Sequence, residues 1–165
     1  AWHKLEPRFG FPFGPELGIA RAAPEARLAE VAVGVALIRR WLPGTPLFEA
    51  ICRVPLVPNC TLAWVQGESD AMALITARQS GANFASLLHA LRTRTTCKNP
   101  YVIAALGRPN PLMPHLDLVN EALRREADQV LDTSELLLSD QIHYDGPSLT
   151  ILGEQIGHLH LAKMD

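Results

Sequence analysis

The segment Leu62-Ala-Trp-Val-Gln-Gly-Glu-Ser-Asp70 passes from an apolar run into a polar stretch that contains one glycine. Apolar runs without polar alternation are typical of strands that are buried on both faces, as in a parallel sheet. Gly67 permits a sharp turn, and Ser69 or Asp70 can cap a helix that begins there. The segment therefore predicts a buried strand, a turn and a helix, which together form the repeating unit of an α/β fold.

The rest of the chain continues this alternation of apolar runs and helical patterns. Further strands are predicted at residues 31–38, 101–106 and 129–131, and helices at residues 16–29, 70–93, 114–127 and 149–161. Strands that alternate with helices favour a three-layer α/β/α architecture with a mostly parallel sheet. We therefore expect one domain over residues 1–165, with ligands bound at the carboxyl ends of the strands.

Composition narrows the range of partners. The 165 residues carry a formal net charge of −2, with 48% hydrophobic and 19% charged residues, which suits a globular domain with a real core. The absence of a basic surplus disfavours nucleic-acid binding, and no apolar run approaches the roughly 20 residues that span a bilayer. The three cysteines have no zinc-binding spacing. We expect three reduced thiols, with one disulfide and one free thiol as the alternative.

Three sets of polar residues follow predicted elements. Gln66 and Glu68 stand at the carboxyl end of a buried strand. Burying polar side chains there costs free energy, which favours a functional role for them. In Asp140-x-x-His143 the spacing lets the carboxylate reach the imidazole Nδ1–H, which fixes the tautomer and leaves Nε2 free as a base. Gly44 can offer a backbone N–H to an oxyanion. Each set also has a simpler interpretation, as a turn, a helix cap or a solvated surface pair.

In order along the chain, five pieces of sequence resemble the sialate O-acetylesterase-like carbohydrate esterases of the SGNH hydrolase superfamily. They are Phe13-Gly-Pro-Glu-Leu17, Gly44-Thr45, Trp64-Val-Gln-Gly-Glu-Ser-Asp70, Asp140-x-x-His143 and Leu152-Gly153. The block from Trp64 to Asp70 is the most specific of these pieces. The resemblance implies a flavodoxin-like fold and hydrolysis of acetyl esters on carbohydrates or of small esters, without a metal ion or an organic cofactor.

The resemblance also implies roles for individual residues. In such enzymes a serine attacks the acyl carbon, a histidine takes its proton, and a carboxylate orients the histidine. His143 would be the general base and Asp140 its partner. Gln66 and Gly44 match positions associated with the oxyanion hole, and Glu68 is a second candidate for the orienting carboxylate.

Two features depart from the family pattern. The family nucleophile lies in a Gly-Gln-Ser-Asn block at the end of the first strand, and none of the six serines of this chain stands in such a block. Pro43 also replaces a glycine, so one backbone N–H is missing beside Gly44.

We therefore expect the first strand to be missing from the sheet, and three explanations are open. The chain can be an N-terminally incomplete part of a longer esterase, or a partner chain can supply the missing strand. Alternatively, the chain is an inactive homologue that binds a carbohydrate or a protein.

Overall fold

The structure is a computed structural model that describes residues 14–108 and 110–164. Phe13, the first residue of one family-like stretch, lies outside the described residues. The chain divides into two compact units, one formed by residues before 29 and after 132, the other by residues 29–132. The expectation of one domain over residues 1–165 stays a prediction. In the described ranges, no helix has the length and apolar character needed to cross a lipid bilayer.

The elements alternate between helix and strand for most of the chain. The described strands are β1 (Thr61–Trp64), β2 (Tyr101–Ala105) and β3 (Gln129–Leu131). The described α-helices are α1 (Glu16–Ala22), α2 (Pro46–Cys52), α3 (Glu68–Ala71), α4 (Leu74–Arg94), α5 (Leu116–Glu126) and α6 (Gly146–Met164), and a 3-10 helix spans Ile38–Trp41.

The unit of residues 29–132 is built on a parallel sheet with the strand order β1-β2-β3. Thr61 pairs with Tyr101 at one end of the register, and Ile103 pairs with Gln129. The middle strand is buried on both faces, since Val102, Ile103 and Ala104 are at most 1% exposed. The prediction of an α/β fold with a parallel sheet is confirmed.

Helix α4 supplies much of the core of this unit. Phe84, Leu87 and Leu88 are at most 1% exposed, because the helix presents them on one apolar face. The ring of Phe84 lies 5.2 Å from that of Trp64, which ends β1. Each of these side chains stabilises the fold by about 1.5–3 kcal/mol through burial. The packing fixes the end of β1, from which the polar segment follows.

The cysteines form one disulfide. Cys60 is bonded to Cys97 across 37 residues, and Cys52 is unpaired. The expectation of three reduced thiols was wrong. The parallel register brings the residue before β1 beside the connection that enters β2, and Tyr101 N–H donates to the carbonyl of Cys60 at 2.8 Å. Strand pairing brings the two cysteines together, so the disulfide could not be predicted from their spacing in the sequence.

The strand predicted at residues 31–38 was also wrong. Gly34 and Val35 form a turn, and Val35 has φ +56° and is 87% exposed. A strand requires a neighbour that satisfies its backbone groups, and in the described part of the chain these residues pair with none. Only the last part of the run is buried, at Ala36 and Ile38.

The predicted helix at residues 70–93 is two helices, α3 and α4. Ala73 has an extended backbone with φ −133° and ψ 139°, which separates them. The hydroxyl of Thr76 donates to the carbonyls of Asp70 at 2.7 Å and of Ala73 at 2.9 Å, and so stabilises the break. Neither Ser69 nor Asp70 caps α3, so that expectation was wrong as well.

In the other unit, α1 packs closely against α6. Helix α1 ends at Ala22 rather than at residue 29 as predicted, because Pro24 disfavours a helical backbone at the residue before it. Glycines on both helices allow the close approach: a β-carbon on Gly18 would lie 2.0 Å from the carbonyl oxygen of Thr150. At the start of α6, the Asp145 carboxylate accepts the N–H of Ser148 at 2.8 Å. The loop that precedes α6 is therefore attached to a rigid helix pair.

Candidate active site

The loop before α6 holds the first group of candidate residues. Leu138 and Tyr144 form an antiparallel bridge, and the carbonyl of His143 accepts the N–H of Ser139 at 2.8 Å. The buried hydroxyl of Tyr144 donates to Thr133 Oγ1 at 2.8 Å. These bonds close residues 138–144 into a narrow loop with a fixed base.

Asp140 and His143 are in direct contact at the tip of this loop. Asp140 Oδ2 lies 2.8 Å from His143 Nδ1. Asp140 Oδ1 accepts the backbone N–H groups of Ile142 at 2.7 Å and His143 at 2.6 Å. The carboxylate is thereby held in place by the backbone while its second oxygen faces the imidazole ring.

The hydrogen bonds also set the charge of Asp140. The backbone N–H of His143, then its ring, then the N–H of Ile142 lower the pKa of the Asp140 carboxyl from 3.8 to about 2. The carboxylate is therefore ionised at neutral pH, and the bond to it assigns the proton to Nδ1 of His143. Nε2 of that ring has no hydrogen-bond partner among the residues described.

Both members of this pair are open to solvent. The His143 side chain is 66% exposed and that of Asp140 is 54% exposed. The imidazole ring of His143 is thus open to an incoming hydroxyl group. None of the six serine hydroxyls, all of them in the described ranges, is hydrogen-bonded to this ring.

The second group of residues lies at the carboxyl end of β1. Gln66 Nε2 donates to the carbonyl of Ala36, whereas Gln66 Oε1 is buried and has no partner among the residues described. Glu68 Oε2 accepts the N–H of Gly67 at 2.9 Å. A β-carbon on Gly67 would lie 2.8 Å from Val119 of α5, so this turn has no room for a side chain.

Asp70, which the sequence predicts only as a helix cap, is a buried carboxylate. It is 2% exposed, and its Oδ2 accepts the N–H of Ile38 at 2.9 Å. Burial raises the pKa of its carboxyl to about 6, a rise that the Ile38 N–H and the nearby charge of Arg39 partly oppose. The only sequence signal for a role of Asp70 is its place in the block from Trp64 to Asp70. Its hydrogen-bond partner, Ile38, lies 32 residues away and could not be predicted.

Gly44 lies in the turn between the 3-10 helix and α2. Its φ of +86° is in the left-handed region that favours glycine, and nothing lies within 4 Å of where a β-carbon would stand. Thr45 caps α2 by accepting the N–H of Phe48 at 3.3 Å, and its hydroxyl donates to the carbonyl of Arg40 at 2.7 Å. The turn is therefore held on both sides and open at its tip.

The structure thus presents the candidates as two groups, one in each unit. Asp140 and His143 form a hydrogen-bonded pair, while Gln66, Glu68 and Gly44 belong to the sheet-bearing unit. The roles assigned to these residues stay predictions. Across the described ranges, no three His, Cys, Asp or Glu side chains converge as the ligands of a metal ion would.

The chain is similar to known proteins in both sequence and fold. The sequence profile of a family described as carbohydrate esterase, sialic acid-specific acetylesterase matches residues 7–162. No curated protein sequence matches the chain. The fold is similar to the X-ray structure of a protein from Arabidopsis thaliana, with a TM-score of 0.78 and 23% identity, over 99% of this chain and 74% of the other. Because the family profile covers almost all of the chain, this protein belongs to the carbohydrate esterase family of sialic acid-specific acetylesterases.

Proposed function

We propose that this chain is the base-bearing part of a carbohydrate O-acetylesterase, an SGNH-type serine esterase that acts on acetylated carbohydrates, sialate esters among them, or on small esters. The observation that carries the proposal is the Asp140–His143 pair, in which Nδ1 is bonded to an ionised carboxylate and the His143 side chain is 66% exposed. This arrangement is the one that a histidine needs in order to act as a general base. Family membership supports the choice of an acetyl ester as the substrate.

In the proposed reaction, a serine hydroxyl attacks the acetyl carbonyl carbon while His143 Nε2 takes the hydroxyl proton. Asp140 stabilises the imidazolium that forms. His143 then returns the proton to the departing sugar oxygen as the C–O bond breaks, leaving an acetyl-serine. A water molecule, deprotonated by the same nitrogen, releases acetate and restores the serine. The chemistry requires no metal ion or organic cofactor.

The oxyanion of each tetrahedral intermediate needs preorganised donors. The backbone N–H of Gly44 is one candidate, because its turn is open. Gln66 is another, because its Nε2 carries a second hydrogen besides the one donated to Ala36. Glu68 is the alternative to Asp140 as the carboxylate that orients the histidine.

The nucleophilic serine of this mechanism is supplied from outside the 165 residues, because none of the six serines stands in a Gly-Gln-Ser-Asn block. Ser80 and Ser148 are buried, and the hydroxyls of Ser86 and Ser139 donate to backbone carbonyls within their own segments. In the described sheet, β1 is an edge strand with a neighbour on one side only. This edge is where a strand with a Gly-Gln-Ser-Asn block would add, either from a longer polypeptide or from a partner chain.

A binding module without catalysis is the second candidate function. Two observations favour it. No serine hydroxyl in the described ranges is hydrogen-bonded to the His143 ring, and Pro43 removes one N–H beside Gly44. In this case the exposed groups would retain affinity for a carbohydrate or for a protein but would not cleave an ester.

The test compares p-nitrophenyl acetate hydrolysis by this chain, by the longest natural polypeptide that contains it, and by the His143→Ala form of each. We expect His143-dependent hydrolysis in the longer polypeptide, with this chain alone no faster than its His143→Ala form. His158→Ala is a matched control that corrects for slow cleavage by surface histidines.

A fluorophosphonate probe followed by peptide mapping locates the nucleophile. We expect labelling at a serine outside the 165 residues. Labelling of one of the six internal serines would overturn that part of the proposal. Equal rates for the long polypeptide and its His143→Ala form would overturn the esterase function, and binding of acetylated sugar by such a protein would support the second candidate.

A further inference from the structure

Two side chains from the segment that follows β1, Gln66 and Asp70, hold one short stretch of backbone. Gln66 Nε2 donates to the carbonyl of Ala36, and Asp70 Oδ2 accepts the N–H of Ile38 at 2.9 Å. The two bonds use the carbonyl of Ala36 and the N–H of Ile38, which lie two residues apart in the same segment. Trp64 adds an edge-on ring contact with Trp41, at 5.9 Å between centroids.

The segment held in this way continues directly to Gly44. The 3-10 helix begins at Ile38, and the N–H of Arg40 donates to the carbonyl of Leu37 at 2.9 Å. Its far end is tied to Thr45, whose hydroxyl reaches the carbonyl of Arg40 at 2.7 Å. Displacing Ile38 would therefore displace the turn that carries Gly44.

The burial of Asp70 costs free energy. Asp70 and Ile38 are 2% and 3% exposed, and burying a carboxylate is unfavourable unless a specific interaction compensates for it. Arg39 on the 3-10 helix favours the ionised form, whereas Glu68 on α3 opposes it. Asp70 makes no side-chain cap for α3, so helix capping does not explain the buried charge.

We infer that Asp70 is a positioning residue, which acts through its bond to the Ile38 N–H to fix the 3-10 helix and the Gly44 turn. Gln66 supports the same segment from the carbonyl of Ala36. The inference rests on the proposed function only in treating Gly44 as an oxyanion donor. The structural half, that Asp70 governs the order of residues 36–45, is independent of catalysis.

The structural half is tested on the full 165-residue chain by amide NMR. In the wild-type protein we expect the Ile38 amide proton to follow the titration of the Asp70 carboxyl, because a hydrogen bond to a carboxylate shifts that proton. Asp70→Asn should abolish the titration, and the exposed Asp117→Asn is the matched control that should preserve it. An Ile38 amide that does not titrate in the wild-type protein would overturn the inference, and this readout needs no unstable variant.

Hydrogen exchange separates positioning from general stability. In Asp70→Ala we expect the Ile38 amide to exchange at least about tenfold faster, as for loss of a hydrogen bond to a charged group. Amides of β2 should be unchanged. Asp70→Asn keeps an acceptor oxygen and should restore most of the protection. Equal acceleration at Ile38 and at β2 would show that Asp70 only stabilises the fold, and would overturn the inference.

The kinetic half is measured on the longer, active polypeptide. We expect Asp70→Ala to lower kcat with little change in KM, and Asp70→Asn to restore it. If Asp70→Ala leaves kcat unchanged while the Ile38 amide exchanges faster, the inferred effect of Asp70 on Gly44 is overturned. If the wild-type polypeptide has no esterase activity, the proposed function fails, while the NMR results alone decide the structural half of the inference.

Discussion

Gly153 of α6 lies so close to Pro15 that a β-carbon on the glycine would stand 1.9 Å from the proline carbonyl oxygen. The proline carbonyl is backbone and the β-carbon would be fixed to the backbone of α6, so neither atom can swing aside as the end of a long side chain would. We expect Gly153→Ala to destabilise the protein by about 1–3 kcal/mol, as overpacking commonly does. Thermal unfolding measures the effect. Alanine alone would favour the helix by about 1 kcal/mol, so a stabilised variant would contradict the contact. Ile151→Ala on the exposed side of α6 serves as the control.

The Cys60–Cys97 bond closes a stretch of 37 residues. We expect Cys60→Ser to reduce the free energy of unfolding by about 4 kcal/mol, through the greater freedom of the unfolded chain. Urea unfolding of the variant and of wild-type protein measures the loss. Cys52→Ser is the control, because Cys52 takes part in no disulfide, and it should leave the midpoint nearly unchanged. A wild-type midpoint that is insensitive to reductant would contradict the prediction.

Asp140 should titrate at unusually low pH. Its pKa of about 2 lies below the ordinary value of 3.8, so the stability it contributes is present above pH 3.8 and is lost as the pH falls through about 2. Carbon NMR of the carboxyl group measures the midpoint directly. In His143→Ala the backbone N–H of residue 143 remains, and we therefore expect the midpoint to rise but to stay below 3.8. A wild-type midpoint near 4 would show that the loop does not hold the carboxylate.

Asp70 should give stability the opposite dependence on pH. Burial raises the pKa of its carboxyl from 3.8 to about 6, so the folded state binds the proton more tightly than the unfolded chain does. The stability from this group is fully present below pH 3.8 and is lost as the pH rises through about 6, by about 3 kcal/mol in total. We expect urea unfolding across this window to show the decline in wild-type protein and in Asp117→Asn. An equal decline in Asp70→Asn would contradict the assignment.

If Gln66 is an oxyanion donor of the proposed esterase, we expect Gln66→Ala to raise the barrier of ester hydrolysis by about 2.7–4 kcal/mol. Because Gln66 also supports Ala36, the Ile38 amide reports whether the segment has moved. A lower kcat with an unchanged Ile38 signal would support direct donation by Gln66. An unchanged kcat would remove Gln66 from the oxyanion hole.

Local patterns were readable from the sequence, and long-range pairings were not. The Asp140–His143 contact could be foreseen from a spacing of three residues. Strand β2 was also foreseeable, because an apolar run buried on both faces suits the middle of a parallel sheet. Residues 31–38 have the same apolar character but lack a paired neighbour in the described ranges, so composition alone gave a false strand there.

The missed contacts share one physical cause. Asp70 meets Ile38 across 32 residues, and Cys60 meets Cys97 across 37. Both contacts exist because elements distant in sequence are packed against each other. The residues that neighbour Asp70, Cys60 and Cys97 in sequence do not indicate these contacts, so local propensity could not predict them.

The single disulfide has a consequence for how the protein is produced. Three cysteines allow three different pairings, and only Cys60 with Cys97 is native. Cys52 can capture either partner while the chain is still unfolded, so oxidation without reshuffling would trap a share of molecules in the wrong form. Biosynthesis in an oxidising compartment with a disulfide isomerase should give homogeneous protein, and a reducing cytoplasm should keep the three thiols reduced until lysis.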